Sequence, residues 1–332
     1  MDHSPALSIH LSNHDSARDI VAAVQLAEKH GIGRVWLSED LYYRGAMPIA
    51  AASLAVTERI GIGFGILAPQ HRHPASMAMD VRTLLDLAPS RVAIGLGAGV
   101  AERAKLIGMQ ASPPLRIVSE AVESLRVLLK GDALDQEGAL HESAGLRLSG
   151  EGPGIVPPIF VAAVGPKALE QAGRSMDGAI LTMMCSREHA RWAAAQVSAA
   201  GASANRSEVP VVAYLPIAVD RDSDAAKDRM RGVLAGFIAR WAGVGFLSKL
   251  FTDWSELDEQ HMARISEAVA EGGDLRELVP NELVDQYCVA GSPDECVRLI
   301  EEFGAAGITE IAFDAGDDLV GVLNFIESIR GL

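Results

Sequence analysis

Residues 59–97 read RIGIGFGILAPQHRHPASMAMDVRTLLDLAPSRVAIGLG. Two short apolar runs, RIGIGFGIL (59–67) and RVAIGLG (91–97), flank SMAMDVRTLLDLA (76–88), whose apolar residues recur at helical spacing. Neither run alternates with polar residues, so each predicts a strand buried on both faces. Buried strands joined through a helix form the parallel crossover unit of α/β folds.

The same unit repeats outward in both directions. Upstream, ALSIHL (6–11) and RVWLS (34–38) are strands. They are separated by SARDIVAAVQLAEKHG (16–31), a helix with Ser16 as N-cap and Gly31 as its stop, and followed by the helix MPIAAASLAVTE (47–58). Downstream, PIFVAAV (158–164), GAILTMM (178–184), VPVVAYLPIAV (209–219) and ITEIAFDAG (308–316) are strands. Helices are predicted over 166–175, 187–201 and 292–307. The last has Ser292 as cap, Pro293 in its first turn and Asp294 and Glu295 at its positive end. The strand count reaches eight, which predicts one (β/α)8 TIM barrel over residues 1–332. An internal echo fits a ring of equivalent units: AEKHGIGRVWL (27–37) and EFGAAGITEIAF (302–313) both run from a helix end through Gly-Ile into a strand. Two stretches break the rhythm. Residues 131–157 predict a long loop with a small hairpin around LHESAGLRL, and 223–285 predict a helical insertion before the last strand.

Composition excludes several classes. The 44 acidic residues outnumber the 29 basic ones, giving a net charge of -15, and no dense basic run marks a nucleic-acid face. An anionic ligand therefore needs a local pocket of positive charge or backbone NH groups. Cys185, Cys288 and Cys296 are scattered, odd in number and free of any C-x-x-C pair, so they read as small core residues. No signal peptide and no apolar run of about 20 residues is present, which predicts a cytoplasmic protein with no membrane partner.

In α/β barrels the site lies at the carboxyl ends of the strands. The second strand ends at Ser38-Glu39-Asp40, and Glu39 and Asp40 are candidates for general acid/base work. The third ends in the glycine-dense Gly63-Phe64-Gly65-Ile66, where a ligand or another backbone comes close. His71-Arg72-His73 after it lacks a third metal ligand, so no metal is expected, and Arg72 reads as a partner for a carboxylate. The fourth ends in Gly95-Leu96-Gly97-Ala98-Gly99. A dinucleotide fingerprint would need its third glycine where Val100 stands, and three strand–helix units already precede it, so a loop admitting a planar cofactor is the better reading. The fifth ends in Ala163-Val164-Gly165-Pro166-Lys167, which opens a helix and predicts a phosphate site. Thr182, at the end of the sixth, is placed on the pocket, and Arg187 stands nearby for an anion.

WLSEDLYYRG (36–45), TERIGIGFGILAPQHRHP (57–74) with LLDLAPSRVAIGLGAG (84–99), PPIFVAAVGPKALEQAGRSMDGAILT (157–182) and VAGSPDECVRLIEEFGAAGITEIAF (289–313) stand in one order. In that order they resemble the bacterial luciferase-like superfamily of flavin-dependent barrels, and within it the F420-dependent branch of the methylenetetrahydromethanopterin reductase kind. The resemblance implies a non-prolyl cis peptide in a bulge of the third strand, here Gly65–Ile66, behind the central ring of the cofactor. It implies that Gly97, Ala98 and Gly99 line that ring, and that Ala163, Val164, Gly165, Pro166 and Lys167, with Thr182, complete the cofactor site. Glu39 and Asp40 would stand at the reacting face. The implied activity is hydride transfer between coenzyme F420 and a small organic substrate. Two alternatives stay open. One is an FMN-dependent monooxygenase using O2 and a flavin reductase partner; the other is a barrel that has lost cofactor binding. A homodimer is also implied. Where members of the superfamily often carry Asn-Pro-Tyr-Thr before Arg-His-Pro, this chain has Ala68-Pro69-Gln70-His71, which leaves the substrate class open.

Overall fold

Each predicted strand is present in the computed structural model, which describes residues 4–109, 113–150, 154–243 and 245–330. In chain order the strands are β1 (Ala6–Leu11), β2 (Arg34–Leu37), β3 (Gly61–Phe64), β4 (Val92–Leu96), β5 (Leu134–Glu137), β6 (Glu142–Leu146), β7 (Ile159–Ala162), β8 (Gly178–Met183), β9 (Val211–Val219), β10 (Val289–Gly291) and β11 (Glu310–Asp314). The main sheet runs β10-β9-β11-β1-β2-β3-β4-β7-β8, and β8 also pairs with β9, so the order closes on itself. The ladders β2–β3, β3–β4, β4–β7, β7–β8 and β9–β11 are parallel. This is the expected (β/α)8 barrel, with β10 as an extra short strand along the far half of β9.

The crossover helices are α1 (Ala17–Lys29), α2 (Ala46–Ala55), α3 (Pro74–Leu87), α4 (Ala101–Leu106), α5 (Pro114–Lys130), α6 (Pro166–Ser175) and α7 (Arg187–Ser203). They continue with α8 (Ser223–Trp241), α9 (Gly245–Thr252), α10 (Glu259–Glu271), α11 (Asn281–Tyr287), α12 (Pro293–Ala305) and α13 (Leu319–Ile329). Local signals set their ends as read. The Ser16 hydroxyl accepts from the Asp19 amide at 3.2 Å. Ser292 and Glu295 form a reciprocal capping box that satisfies two otherwise orphaned amides. Gly31 adopts φ +72° just beyond α1. The irregular stretch after α5 holds the hairpin β5–β6, one strand earlier than the sequence places it, and residues 151–153 lie outside the described part.

Two compact units share the chain. One comprises His10–Ile180 and Ala200–Val209; the other runs to Ile9, then covers Leu181–Ala199 and everything from Pro210. The latter contains α8–α11, whose buried Leu234, Ile238, Phe251, Met262, Ile265 and Tyr287 form a cluster of their own. Its Arg187, considered above for an anion, is spent on Glu302 and on the Asp285 carbonyl. Cys185, Cys288 and Cys296 are buried free thiols, and burial pushes Cys185 and Cys296 up to about 12, so they stay protonated and packed. Among the described residues no helix is long and apolar enough to cross a membrane.

The first unit packs its few large aromatics onto missing side chains. Trp36 of β2 and Gly63 of β3 are register partners, and a Cβ at Gly63 would lie 2.5 Å from the Trp36 ring. Phe160 of β7 and Gly178 of β8 repeat the device at 2.2 Å. The two rings meet edge to face at 5.3 Å, a favourable arrangement of their quadrupoles. With aromatics at only 5% of the chain, glycines that admit whole rings let Trp36 become fully buried.

Candidate active site

The site begins where β3 leaves its ladder. Ile62 faces Val92 and Gly63 faces Ala93, but the next parallel bridge joins Leu67 to Leu96. Five steps along β3 thus face four along β4, so one extra residue is accommodated. The Gly65–Ile66 peptide inside that bulge is cis, at the position the resemblance implies. The bulge is tied on both sides: the Gly65 amide donates to the Leu37 carbonyl at 2.8 Å and the Leu67 amide to that of Gly95 at 2.8 Å.

The glycines of β4 serve this bulge. A Cβ at Gly95 would sit 2.1 Å from the Phe64 carbonyl oxygen and 2.7 Å from Ile180 Cδ1. At Gly97 it would sit 2.9 Å from both Ile66 Cγ1 and Ala162 Cβ. The room that these two glycines provide on their Cβ side is therefore filled by protein atoms. Beyond them the chain opens: Ala98 is half-buried and Gly99, at φ +64°, is exposed.

Glu39 and Asp40 sit together after β2 but are used differently. Glu39 is almost wholly buried, 7% exposed. One oxygen accepts from Arg72 Nη2 at 2.6 Å and the other from the Ala46 amide, the first residue of α2, at 3.1 Å. A carboxylate with both oxygens committed, one to a cation and one to a helix N-terminus, is a structural anchor. Asp40 is 41% exposed and bridges two basic groups, Arg103 Nη1 at 2.9 Å and His14 Nε2 at 2.9 Å.

His14, Asn13 and Arg103 were not among the sequence candidates. Asn13 is buried and its amide clamps the loop after β2. Nδ2 donates to the carbonyls of Asp40 (3.0 Å) and Arg44 (2.7 Å), and Oδ1 accepts from the Asp40 amide (3.1 Å). His14 stacks on Tyr43 with ring centroids 3.8 Å apart, and Arg44 donates to the His14 carbonyl. Tyr42, held at φ +78°, donates its hydroxyl to the Arg103 carbonyl at 2.9 Å, linking this loop to α4. Only the tertiary fold brings these residues together, so no local pattern announces them.

The 3₁₀ turn Pro69–His71 connects the two halves of the site. Gln70 Nε2 donates to the Ala98 carbonyl at 2.7 Å, and Arg72 reaches Glu39. Three polar atoms in a row here, Gln70 Oε1, His71 Nδ1 and Arg72 Nη1, are buried without a hydrogen-bond partner among the described residues. Each such atom costs on the order of 1–3 kcal/mol if left so. Burial holds the His71 imidazole below its usual range, against Glu39 and together with Arg72. His73 turns away and accepts from the Ala75 amide at 3.1 Å, capping α3. Among the described residues no group of three or more His, Cys, Asp or Glu side chains is arranged to hold a metal.

At the end of β7 the turn opens α6. Gly165 is its N-cap at φ −94°, with no side chain capping it and nothing within 4 Å of the place a Cβ would occupy. Ala163 is buried, Val164 and Gly165 are half-buried, and Pro166 and Lys167 are exposed. This is an uncapped helix start with an adjacent cation, the arrangement that binds anions. Thr182, half-buried near the end of β8, belongs to the second unit.

A family model described as "Luciferase-like monooxygenase" matches residues 2–310. A 5,10-methylenetetrahydromethanopterin reductase of Archaeoglobus fulgidus is 29% identical over 296 residues, covering 87% of this chain and 86% of its own. An F420-dependent glucose-6-phosphate dehydrogenase of Nocardia farcinica is 29% identical over 318 residues, covering 90% and 88%. Among solved structures, the coenzyme F420-dependent tetrahydromethanopterin reductase of Methanopyrus kandleri superposes with a TM-score of 0.86 at 23% identity, over 98% of this chain and 97% of that one.

Proposed function

This chain belongs to the luciferase-like monooxygenase family, and from that premise we propose that it transfers a hydride between coenzyme F420 and a small organic substrate. It is an oxidoreductase; the Nocardia farcinica relative, named as F420-dependent and covered over 88% of its length, supports the choice of cofactor. The observation that carries the reading is the turn beyond the β3 bulge, where Gln70, His71 and Arg72 hold three buried polar atoms without a partner among the described residues. Those atoms and the uncapped start of α6 fit a cofactor with a polar ring edge and an anionic tail. Gly65, Ile66, Gly97, Ala98 and Gly99 would back the ring. Ala163, Val164, Gly165, Pro166 and Lys167 would hold the phosphate. When bound, F420 supplies a two-electron hydride carrier. The protein's own work is to orient it, through the anchor Glu39–Arg72, and to handle the accompanying proton on the exposed side, around Asp40.

The test is a fluorescence titration of the purified protein with F420 and, separately, with FMN. Tight binding of F420 alone is expected. Preference for FMN would move the protein to the O2-using branch with a reductase partner, and binding of neither would make it a non-catalytic barrel. Gly165→Ala sharpens the result. Its Cβ meets no protein atom, so stability should stay within about 1 kcal/mol of wild type. F420 affinity should fall at least roughly tenfold as the methyl intrudes on the helix start. Unchanged affinity would remove the phosphate from this turn.

We also read the protein as a homodimer. Helix α2 carries no charged residue, yet Val56 at its end is half exposed, and Met79 and Leu87 of the neighbouring α3 are exposed as well. A helix with so little polar surface is normally covered. Sedimentation should give twice the chain mass, and Val56→Glu with Met79→Glu should halve it; a wild-type monomer would end this reading.

A further inference from the structure

The hairpin β5–β6 is a two-stranded sheet of its own, paired with no strand of the barrel among the described residues. A hairpin by itself is marginal in water, so its footing on the rest of the first unit holds it in place. Leu134 is buried. Ser124 of α5 donates its hydroxyl to Gln136 at 2.7 Å, and the Ala139 amide donates to Glu120 of α5 at 2.6 Å. The tip also meets His73: the His141 ring packs on it with centroids 4.4 Å apart and planes tilted by 52°. His73 directly follows Gln70, His71 and Arg72, the turn described above. Leu140 and His141 line a small crevice with Pro69 and Pro74, which bracket that turn.

We propose that the His73–His141 contact is an acid-released clasp: with both rings neutral it holds the hairpin tip against residues 69–74, and protonation frees the tip and weakens cofactor binding at that turn. The effect on the cofactor rests on the F420 reading above; the clasp itself does not.

Neither ring can take a second proton and keep its contacts. His73 Nδ1 accepts from the Ala75 amide at 3.1 Å, so its hydrogen lies on Nε2. A proton on Nδ1 would set donor against donor and undo the cap of α3. In an imidazolium both nitrogens donate. On His141 this would turn Nε2, which is buried without a partner among the described residues, into a charged donor with no acceptor. The charged and titratable groups that face His141 are His73 from the turn and Glu120 from α5. Glu120 is already engaged by Arg116 at 2.6 Å and by the Ala139 amide. Burial and the neighbouring His73 hold His141 below its usual range, against the opposite pull of Glu120. The docked tip therefore binds fewer protons than the free one. Docking is at full strength above the ordinary histidine value of 6.5 and is lost as pH falls through it.

The effect reaches the site along the chain. Arg72 holds Glu39 and Gln70 holds the Ala98 carbonyl, and both depend on how the turn is set. A tip that no longer braces Pro69 and Pro74 leaves the turn less ordered, and a ligand must then order it on binding.

The experiment follows amide hydrogen exchange of the full chain without cofactor, from pH 5.5 to 8, in wild type, H141F and H73N. Protection is taken relative to the intrinsic rate at each pH. Phenylalanine keeps a ring and cannot titrate; asparagine keeps the cap of α3 and removes the partner ring. F420 affinity is measured for each protein at both ends of the range. In wild type, protection of residues 134–146 should fall roughly fivefold or more towards pH 5.5, while β3 and β4 stay protected. H141F should keep its hairpin protection across the range. H73N should show a weakened hairpin already at pH 8, with α3 still protected. The ratio of H141F to wild-type affinity for F420 should be near unity at pH 8 and roughly five or more at pH 5.5. That ratio cancels any ionisation of the cofactor itself. Hairpin protection that is independent of pH in wild type, that falls equally in H141F, or that H73N leaves unchanged would overturn the clasp. A hairpin that opens while the affinity ratio stays at unity would overturn its link to the site. A wild type that binds no F420 at pH 8 would overturn the cofactor reading, and the exchange data would still decide the clasp.

Discussion

Gly95→Ala should destabilise the protein by about 3 kcal/mol or more, at or above the top of the usual range for overpacking. The reason is a single methyl group. Its carbon would lie 2.1 Å from the Phe64 carbonyl oxygen, whereas even close C–H···O contacts keep carbon and oxygen about 3.3 Å apart. The obstacle is backbone, so no rotamer change relieves it. Phe64 immediately precedes Gly65–Ile66, and moving its carbonyl means moving the bulge. Ile180 Cδ1, 2.7 Å away, blocks the other direction. With a urea slope of about 3 kcal/mol per molar, the midpoint should fall by about 1 M. Gly165→Ala is the internal control: the same atom added to the same unit, with nothing to strike. Equal midpoints for the two variants would show that β4 does not approach the bulge as closely as described.

Glu39→Ala should have the second largest effect on stability, also about 3 kcal/mol, the low end for breaking a buried pair because Arg72 remains 21% exposed. Two losses combine. Arg72 already has one unsatisfied nitrogen and would lose the partner of the other. The first amide of α2 would lose its acceptor. Glu39→Gln keeps an acceptor for one of these groups and should cost roughly half as much. The decisive measurement is the cycle with Arg72→Leu. Removing both partners should be milder than the sum of the single changes by more than about 1 kcal/mol. Strict additivity would mean that the 2.6 Å contact contributes nothing to folding.

These expectations show where the sequence was readable. Strands such as VAIGL and IFVA are continuous apolar runs because a parallel strand in this fold is buried on both faces, and that signal is local. Capping is local too, which is why Ser16 and Ser292 were legible. Helix α5 was equally readable, with Ile117, Val118, Ala121, Val122, Leu125, Leu128 and Leu129 buried at helical spacing and Gly131 in the left-handed region beyond it. It is missing from the expected elements because the hairpin β5–β6 separates it from the next strand, so it does not fit a simple strand–helix alternation. The pairing of His14 with Asp40 is of another kind. Nothing within 26 residues of chain announces it, and it follows only from adjacent strand ends meeting. Gly95 and Gly97 mark a third limit. A glycine in a strand announces that something comes close, and only the fold reveals that here the visitor is the chain itself.

That last feature bears on how such an enzyme diverges. The floor of the site is shaped at Gly95 by backbone pressed against backbone, and at Gly97 by backbone pressed against the Ile66 and Ala162 side chains. Substitution at Gly95 is therefore expected to cost folding before it can remodel the site. Selection for new chemistry is left with the rim, Tyr42 to Arg44, where side chains stand in solvent. A mutational library aimed at new substrates should yield its functional variants there, and almost none among residues 63–67 and 95–97.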